Sequence, residues 1–321
     1  MYTTIIGFGK QGNKAVRGIP SSGGIKKLYA GSSLEDFPDD EEDQRWYLDF
    51  HYELGAWDPE FEIKMYLRNP KNQEMLLDDF QDTALVVIVM GLGGTLSMAA
   101  KHVITFLRNE DIPVYVVCSQ PFHSDGDYLR NLLCNEMVHF LRKNSEGIGW
   151  TLIESEKLVK EDRMGYKKAY ETAHALLTDT VMTVLALPGE DEEENLLGTK
   201  IMMNDLVSVI DHDLVYLSFV ELKREKNLTD YEILNRFLPY LPDKHSEGLL
   251  VMEIPKDVES ILEVGEKMNE ILDYFSGVNN FTCRLTFSKR ELTDETYKCW
   301  FVCNGKETEK HKISLQEISL F

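Results

Sequence analysis

The sequence predicts an α/β protein: a parallel, doubly wound N-terminal domain, a long central helix and a smaller α+β C-terminal domain. Three observations carry this. The run Ala84–Met90 is continuously apolar, which suits a strand covered on both faces, as in a parallel sheet. In the first half, strands alternate with helical stretches and glycine-rich loops stand at strand C-termini. After Pro188-Gly189 the strands become plain amphipathic ones without such loops. The expected division is 1–187, including the central helix, then 188–305, then a tail over 306–321.

Taken in order, a strand over Thr3–Ile6 runs into Gly7-Phe8-Gly9-Lys10-Gln11-Gly12-Asn13, with a helix expected from about Lys14. Glycines there permit a tight turn and close backbone approach to a phosphate, and a helix N-terminus adds partial positive charge. A second strand, Ile25–Ala30, precedes an acidic run, LEDFPDDEEDQRW, expected as a solvated loop. Gly55, Ala56 and Trp57 form a loop, and Asp58 is placed to cap a helix from Pro59 to Asp79. The strongest strand opens into Gly91 to Met98 and a helix to about Arg108. A buried strand, Pro113–Cys118, leads to Gln120–Gly126. Beyond Trp150–Ile153, a helix over Lys167–Leu187 is long enough to act as a strut. The second half shows strands at Leu249–Ile254, Phe281–Ser288 and Tyr297–Cys303, with a helix at Val258–Phe275. Two glycine loops gathered at one sheet edge suggest a mononucleotide site.

Asp plus Glu number 55 against 34 Lys plus Arg, a net charge of −21. That balance argues against a general nucleic-acid binder, which needs excess basic charge to displace counterions. Five cysteines with no C-x-x-C spacing argue against a disulfide framework or a zinc ribbon, and no metal site is expected. There is no run of about 18 apolar residues and no signal-peptide pattern, so a soluble, cytoplasmic protein is expected.

The order of these segments resembles FtsZ, the bacterial tubulin relative, over about residues 3 to 305. GFGKQGNKAV resembles that family's glycine-rich loop ending in Gly-Asn-Ala-Val. LGAWDPE resembles its Leu-Gly-Ala-Gly-Ala-Asn-Pro-Glu loop, one residue shorter. VIVMGLGGTLSMAA resembles the tubulin signature Gly-Gly-Gly-Thr-Gly-Thr/Ser-Gly, and QPFHSDG resembles Lys-Pro-Phe-x-x-Glu-Gly. The resemblance implies GTP or GDP, with magnesium if GTP binds. It places the nucleotide on Gly7, Gly9, Gly12, Asn13, Gly55, Ala56, Gly91, Gly93, Gly94, Thr95, Ser97, Pro121 and Asp125. It also implies head-to-tail filaments, with itself or another FtsZ-like protein, of a kind serving the cytoskeleton or cell division.

The departures are as informative. Three signature glycines have become Leu92, Leu96 and Met98, whose side chains can close the approach to a phosphate. The family's arginine falls on Leu129, beside Arg130. Its base-contacting Asn falls near Ser155 and its central-helix Asp on His174, and a neutral imidazole cannot replace that carboxylate acceptor. In the catalytic loop, Asn-x-Asp-x-x-Asp aligns with Lys200 to Asp205. Only Asp205 keeps its acid; Met202 stands at the other acidic position and cannot orient a water. Asp205 also fits as a helix cap for LVSVI.

Three readings follow. One is a pseudo-GTPase assembly protein with impaired or lost turnover. Another is a functional, polymerising GTPase acting slowly at the subunit interface. The last, an NAD-dependent Rossmann enzyme reading GFGKQG, lacks the acidic residue expected after the second strand, where YAGSS lies. The apolar replacements Trp57, Leu92, Leu96 and Met98, with Ile201, Met202 and Met203 on the other face, either build a nucleotide-independent interface or fill the vacated pocket within one subunit.

Overall fold

Leu85 to Met90 are each fully buried, as a strand with two covered faces requires. In the computed structural model, residues 2–21, 24–37, 45–47, 59–122, 128–156, 165–188, 201–223, 245–255, 262–263, 265–266, 283–292 and 296–305 are described. The chain divides into two units, Met1–Ala186 and Leu187–Phe321.

The first unit holds six strands: β1 (Tyr2–Phe8), β2 (Ile25–Gly31), β3 (Arg45–Tyr47), β4 (Thr83–Gly91), β5 (Val114–Ser119) and β6 (Gly149–Ile153). Their order is β3-β2-β1-β4-β5-β6 and every neighbouring pair is parallel. The chain reverses direction across the sheet at β1 and β4, so the loops after these two strands meet at one edge. The helices are α1 (Gly9–Arg17), α2 (Pro59–Arg68), α3 (Pro70–Asp79), α4 (Thr95–Asn109), α5 (Tyr128–Lys143) and α6 (Tyr166–Ala186). The last is the expected central helix, and its inward stripe of Ala169, Ala173, Leu177, Val181 and Val184 is buried.

Four expectations change. Helix α1 starts at Gly9, so Gly12 and Asn13 lie within it. The helix expected over 59–79 is two helices, because Pro70 has no N–H to continue the first. Asn69 caps the second by accepting the Lys71 amide at 3.1 Å. The acidic run is ordered at both ends: Leu34–Asp36 forms a 3-10 turn, and Arg45–Tyr47 is β3, whose Trp46 ring lies 6.3 Å from that of Phe8. Finally, α5 matches no pattern singled out above.

The second unit contains α7 (Met203–Ile210), β7 (Leu214–Lys223), β8 (His245–Pro255), β9 (Cys283–Leu292) and β10 (Thr296–Gly305). Its strands run β7-β10-β8-β9, with β10 antiparallel to both neighbours and β8 parallel to β9. Buried Asn304 on β10 donates to the Val209 carbonyl of α7 at 2.9 Å. Strand β7 was not expected. Of the helix expected over 258–275, residues 262–263 and 265–266 are helical. The remainder, 189–200 and the tail over 306–321 lie outside the described residues. Cys118, Cys134 and Cys303 are buried; burial pushes the Cys134 thiol up to about 12 and raises Cys118 well above its usual range.

Candidate functional site

The first glycine loop is shaped by packing. Gly12, on α1, faces the Val89 carbonyl so closely that a Cβ there would collide with it. This lets α1 lie directly on β4. Asn13 is 1% exposed, and its amide donates to the carbonyls of Ala30 (3.1 Å) and Asp36 (2.6 Å). Its side chain therefore joins α1 to the end of β2 and its following turn. Gly7 supports the same contact, since a Cβ there would lie 2.6 Å from Asn13 Oδ1.

The second loop, Gly91–Gly94, turns through Gly93, whose φ of +86° favours glycine. Pro121 and Arg130 Cγ pack over it, at 3.3 and 2.5 Å from a Cβ built there. Leu92, Leu96 and Met98 are all buried, at 5%, 9% and 3% exposure. Leu96 Cδ1 comes within 3.4 Å of the Cβ position of Gly9, where φ is +68°. One leucine of the second loop's helix thus touches the first glycine loop. Gln11 packs beside them: its Oε1 lies against Gly91, and its Nε2 donates to Ser119 Oγ at 3.0 Å. The sequence patterns did not single out Gln11. The signal was available, since Gln11 stands immediately before Gly12, the glycine that brings α1 against β4.

Ser97 is buried, and its hydroxyl donates back to the Gly94 carbonyl at 2.5 Å. Gly94 and Thr95 are exposed; a Cβ at Gly94 would meet nothing within 4 Å. Ser155 is buried, its hydroxyl donating to the Gln120 carbonyl at 2.7 Å. Burial and the Lys14 charge lower His174, keeping its imidazole neutral. Gly55, Ala56 and Asp125 lie outside the described residues, as do Trp57 and Lys200.

In the second unit, Asp205 sits in the first turn of α7, and its Oδ2 accepts the Met202 amide at 3.0 Å. The carboxylate caps the helix. Met202 is 56% exposed, whereas Ile201 is buried at 3%. Of the two expectations for the apolar replacements, burial of Leu92, Leu96, Met98 and Ile201 agrees with packing within one subunit, while Met202 is exposed.

Beside the loops, the Glu60 carboxylate on α2 meets Lys101 Nζ at 2.8 Å, His102 Nε2 at 3.0 Å and Lys64 Nζ at 3.3 Å. Partial burial alone would raise this carboxyl, but hydrogen bonds from Lys101 and His102 and the Lys101 charge bring it down to about 2. Among the described residues no group of His, Cys, Asp and Glu could hold a metal, and no helix is long and apolar enough to cross a membrane.

A mainly parallel sheet reversing at β1 and β4, with glycine loops at that reversal, a central helix and a second unit carrying a mixed sheet, is a fold shared with FtsZ, TubZ and CetZ. An FtsZ mutant from M. jannaschii is similar at 19% identity and a TM-score of 0.67, covering 95% of this chain and 91% of that one. TubZ of Bacillus thuringiensis serovar israelensis, in a GTPγS-form protofilament, is similar at 14% identity and a TM-score of 0.68 (99% and 90% covered). CetZ2 of Haloferax volcanii, a GTPγS-bound protofilament, is similar at 14% identity and a TM-score of 0.66 (96% and 94% covered). No family model matches the sequence and no curated relative does.

Proposed function

We propose that this chain is an FtsZ/tubulin-like assembly protein that associates head to tail and has lost most or all GTP turnover. The observation that carries the reading is Leu96, buried between the Gly9 loop and its own signature loop, with Gln11 laid over Gly91. A phosphate cradle needs backbone N–H groups with open space before them. Beside Gly9 and Gly91 that space is taken by the Leu96 and Gln11 side chains, which supports a weakened or lost phosphate site. The catalytic-loop acid is likewise committed, since Asp205 accepts the Met202 amide. Self-association is supported by the protofilaments of TubZ and CetZ2. Exposed Met202 in the second unit, and exposed Tyr128 and Leu129 at the start of α5, are the apolar groups on offer.

A second reading, a slow GTP-binding polymeriser requiring magnesium, is favoured by one observation. Gly94 and Thr95 are exposed at the start of the 15-residue α4, which has no side-chain cap. One experiment separates the two: chromatography of nucleotide released from native protein, followed by sedimentation with and without GTP. The expected result is no bound guanine nucleotide and assemblies indifferent to GTP. Co-purifying GDP, or brisk hydrolysis, would overturn the first reading in favour of the second.

A further inference from the structure

Helix α5 combines exposed apolar groups with an excess of positive charge. At its start Tyr128, Leu129 and Leu132 are 76%, 56% and 48% exposed. Residues three and four apart share a helix face, and the exposed stripe continues from Leu132 through Glu136 and His139 to Lys143. The cations of the helix are Arg130, Arg142 and Lys143. Its one acid, Glu136, is met by Lys101 Nζ at 3.1 Å. A chain of net charge −21 thus presents a basic helix with apolar side chains at one end. Such a surface fits a partner segment of opposite charge that brings apolar groups of its own.

The sequence holds such a segment. Glu190-Asp191-Glu192-Glu193-Glu194 is followed, after Asn195, by Leu196-Leu197. The other acidic run, residues 39–43, leads to Trp46, whose ring is engaged with those of Phe8 and Tyr66 at 6.3 and 6.1 Å. We infer that residues 190–197 of a second copy dock along α5, with the leucines on Tyr128, Leu129 and Leu132 and the carboxylates beside Arg142 and Lys143. The lengths agree: residues 129 to 143 span about 21 Å of helix, and eight residues in extended form reach about 26 Å. Two α5 helices facing each other would set cation against cation, and the net charge of the chain opposes an anionic membrane. The inference rests on the proposed self-association and names the surfaces that make it.

The test uses the full chain with a labelled peptide of residues 189–200, read by fluorescence anisotropy, and sedimentation velocity of the chain itself. The peptide is expected to bind, at least about tenfold more tightly in low salt than in about 0.5 M salt. Replacing its five acids by the matching amides should weaken it by at least about tenfold. Leu132→Glu, on an exposed helix face, should lose the peptide and weaken self-association. Lys143→Glu should weaken both, and a peptide carrying Glu192→Lys should bind that variant better than the unmodified peptide does. If the parent associates and both variants associate equally well, the inference is overturned and the proposed self-association stands. If the peptide binds a chain that stays monomeric at every concentration, self-association is overturned and the second copy is replaced by the chain's own segment. A folded parent that ignores the peptide, or that prefers phosphatidylserine vesicles to it, overturns the inference directly.

Discussion

At the carboxyl ends of β1 and β4, Leu96 and Gln11 pack against Gly9 and Gly91; at the amino ends of the same strands, a cleft of about 520 Å³ stands open between Lys26, Lys27 and the exposed Asp78 and Asp82. The first edge carries two glycine loops with side chains packed against Gly9 and Gly91. The second carries no motif and has room and side chains of both charges. Loop pattern and open space are separate properties. A leucine in place of one glycine can take up space while leaving the pattern legible.

The comparison can be broken most forcefully at Gly12. Gly12→Val would set a side chain against the Val89 carbonyl, two backbones that cannot part without moving α1 off β4. A loss of about 4 kcal/mol is expected, read as a lowered urea midpoint. If stability were unchanged, the packing of the first edge would be far looser than described. Leu96→Gly tests the filling itself. It should cost about 3 kcal/mol, from lost burial, a cavity and a glycine within the helix. If Leu96 is what closes the edge, guanine nucleotide should bind the variant more tightly than the parent, measured by calorimetry.

Glu60→Gln probes the network beside that edge and should cost about 2 kcal/mol at neutral pH. The folded carboxyl is depressed from 4.5 to about 2. Its contribution is therefore full above about 4.5 and fades as pH falls through about 2, so melting temperatures should converge with those of the variant across that window. The smallest effect is chemical: with thiols pushed upward by burial, Cys118 and Cys134 should resist maleimide in the native chain and react once urea unfolds it.

The long apolar strand β4, the glycine loop after it and the 21-residue α6 were legible because each announces itself locally, by burial period or by composition. Boundaries were less so: Gly9 starts a helix that glycine content hid, while Pro70 divides one that its periodicity joined. Strand β3 was masked by the acidic residues before it. The lysine cleft could not be read at all, because Tyr2, Lys27, Asp78 and Asp82 come together only when β1, β2 and β4 pair. Likewise the three substituted glycines of the second loop were readable. That Leu96 turns towards Gly9, and that Gln11 reaches Ser119, belong to the packing.

Thr178, near the middle of α6, donates its hydroxyl to the Ala15 carbonyl at 3.0 Å, with its methyl 3.2 Å from the Cβ position of Gly18. Twenty-one residues make a rod of about 31 Å, stiff enough to move as one body. A rod packed along its whole length, with Ala169, Ala173, Leu177, Val181 and Val184 buried, is a splint: α1, the helix that starts at the first glycine loop, cannot shift alone without breaking its contact to Thr178. Phe122 adds edge-to-face contacts with Tyr170 and Tyr166 at the first turns of α6, ring centroids 4.4 and 5.7 Å apart.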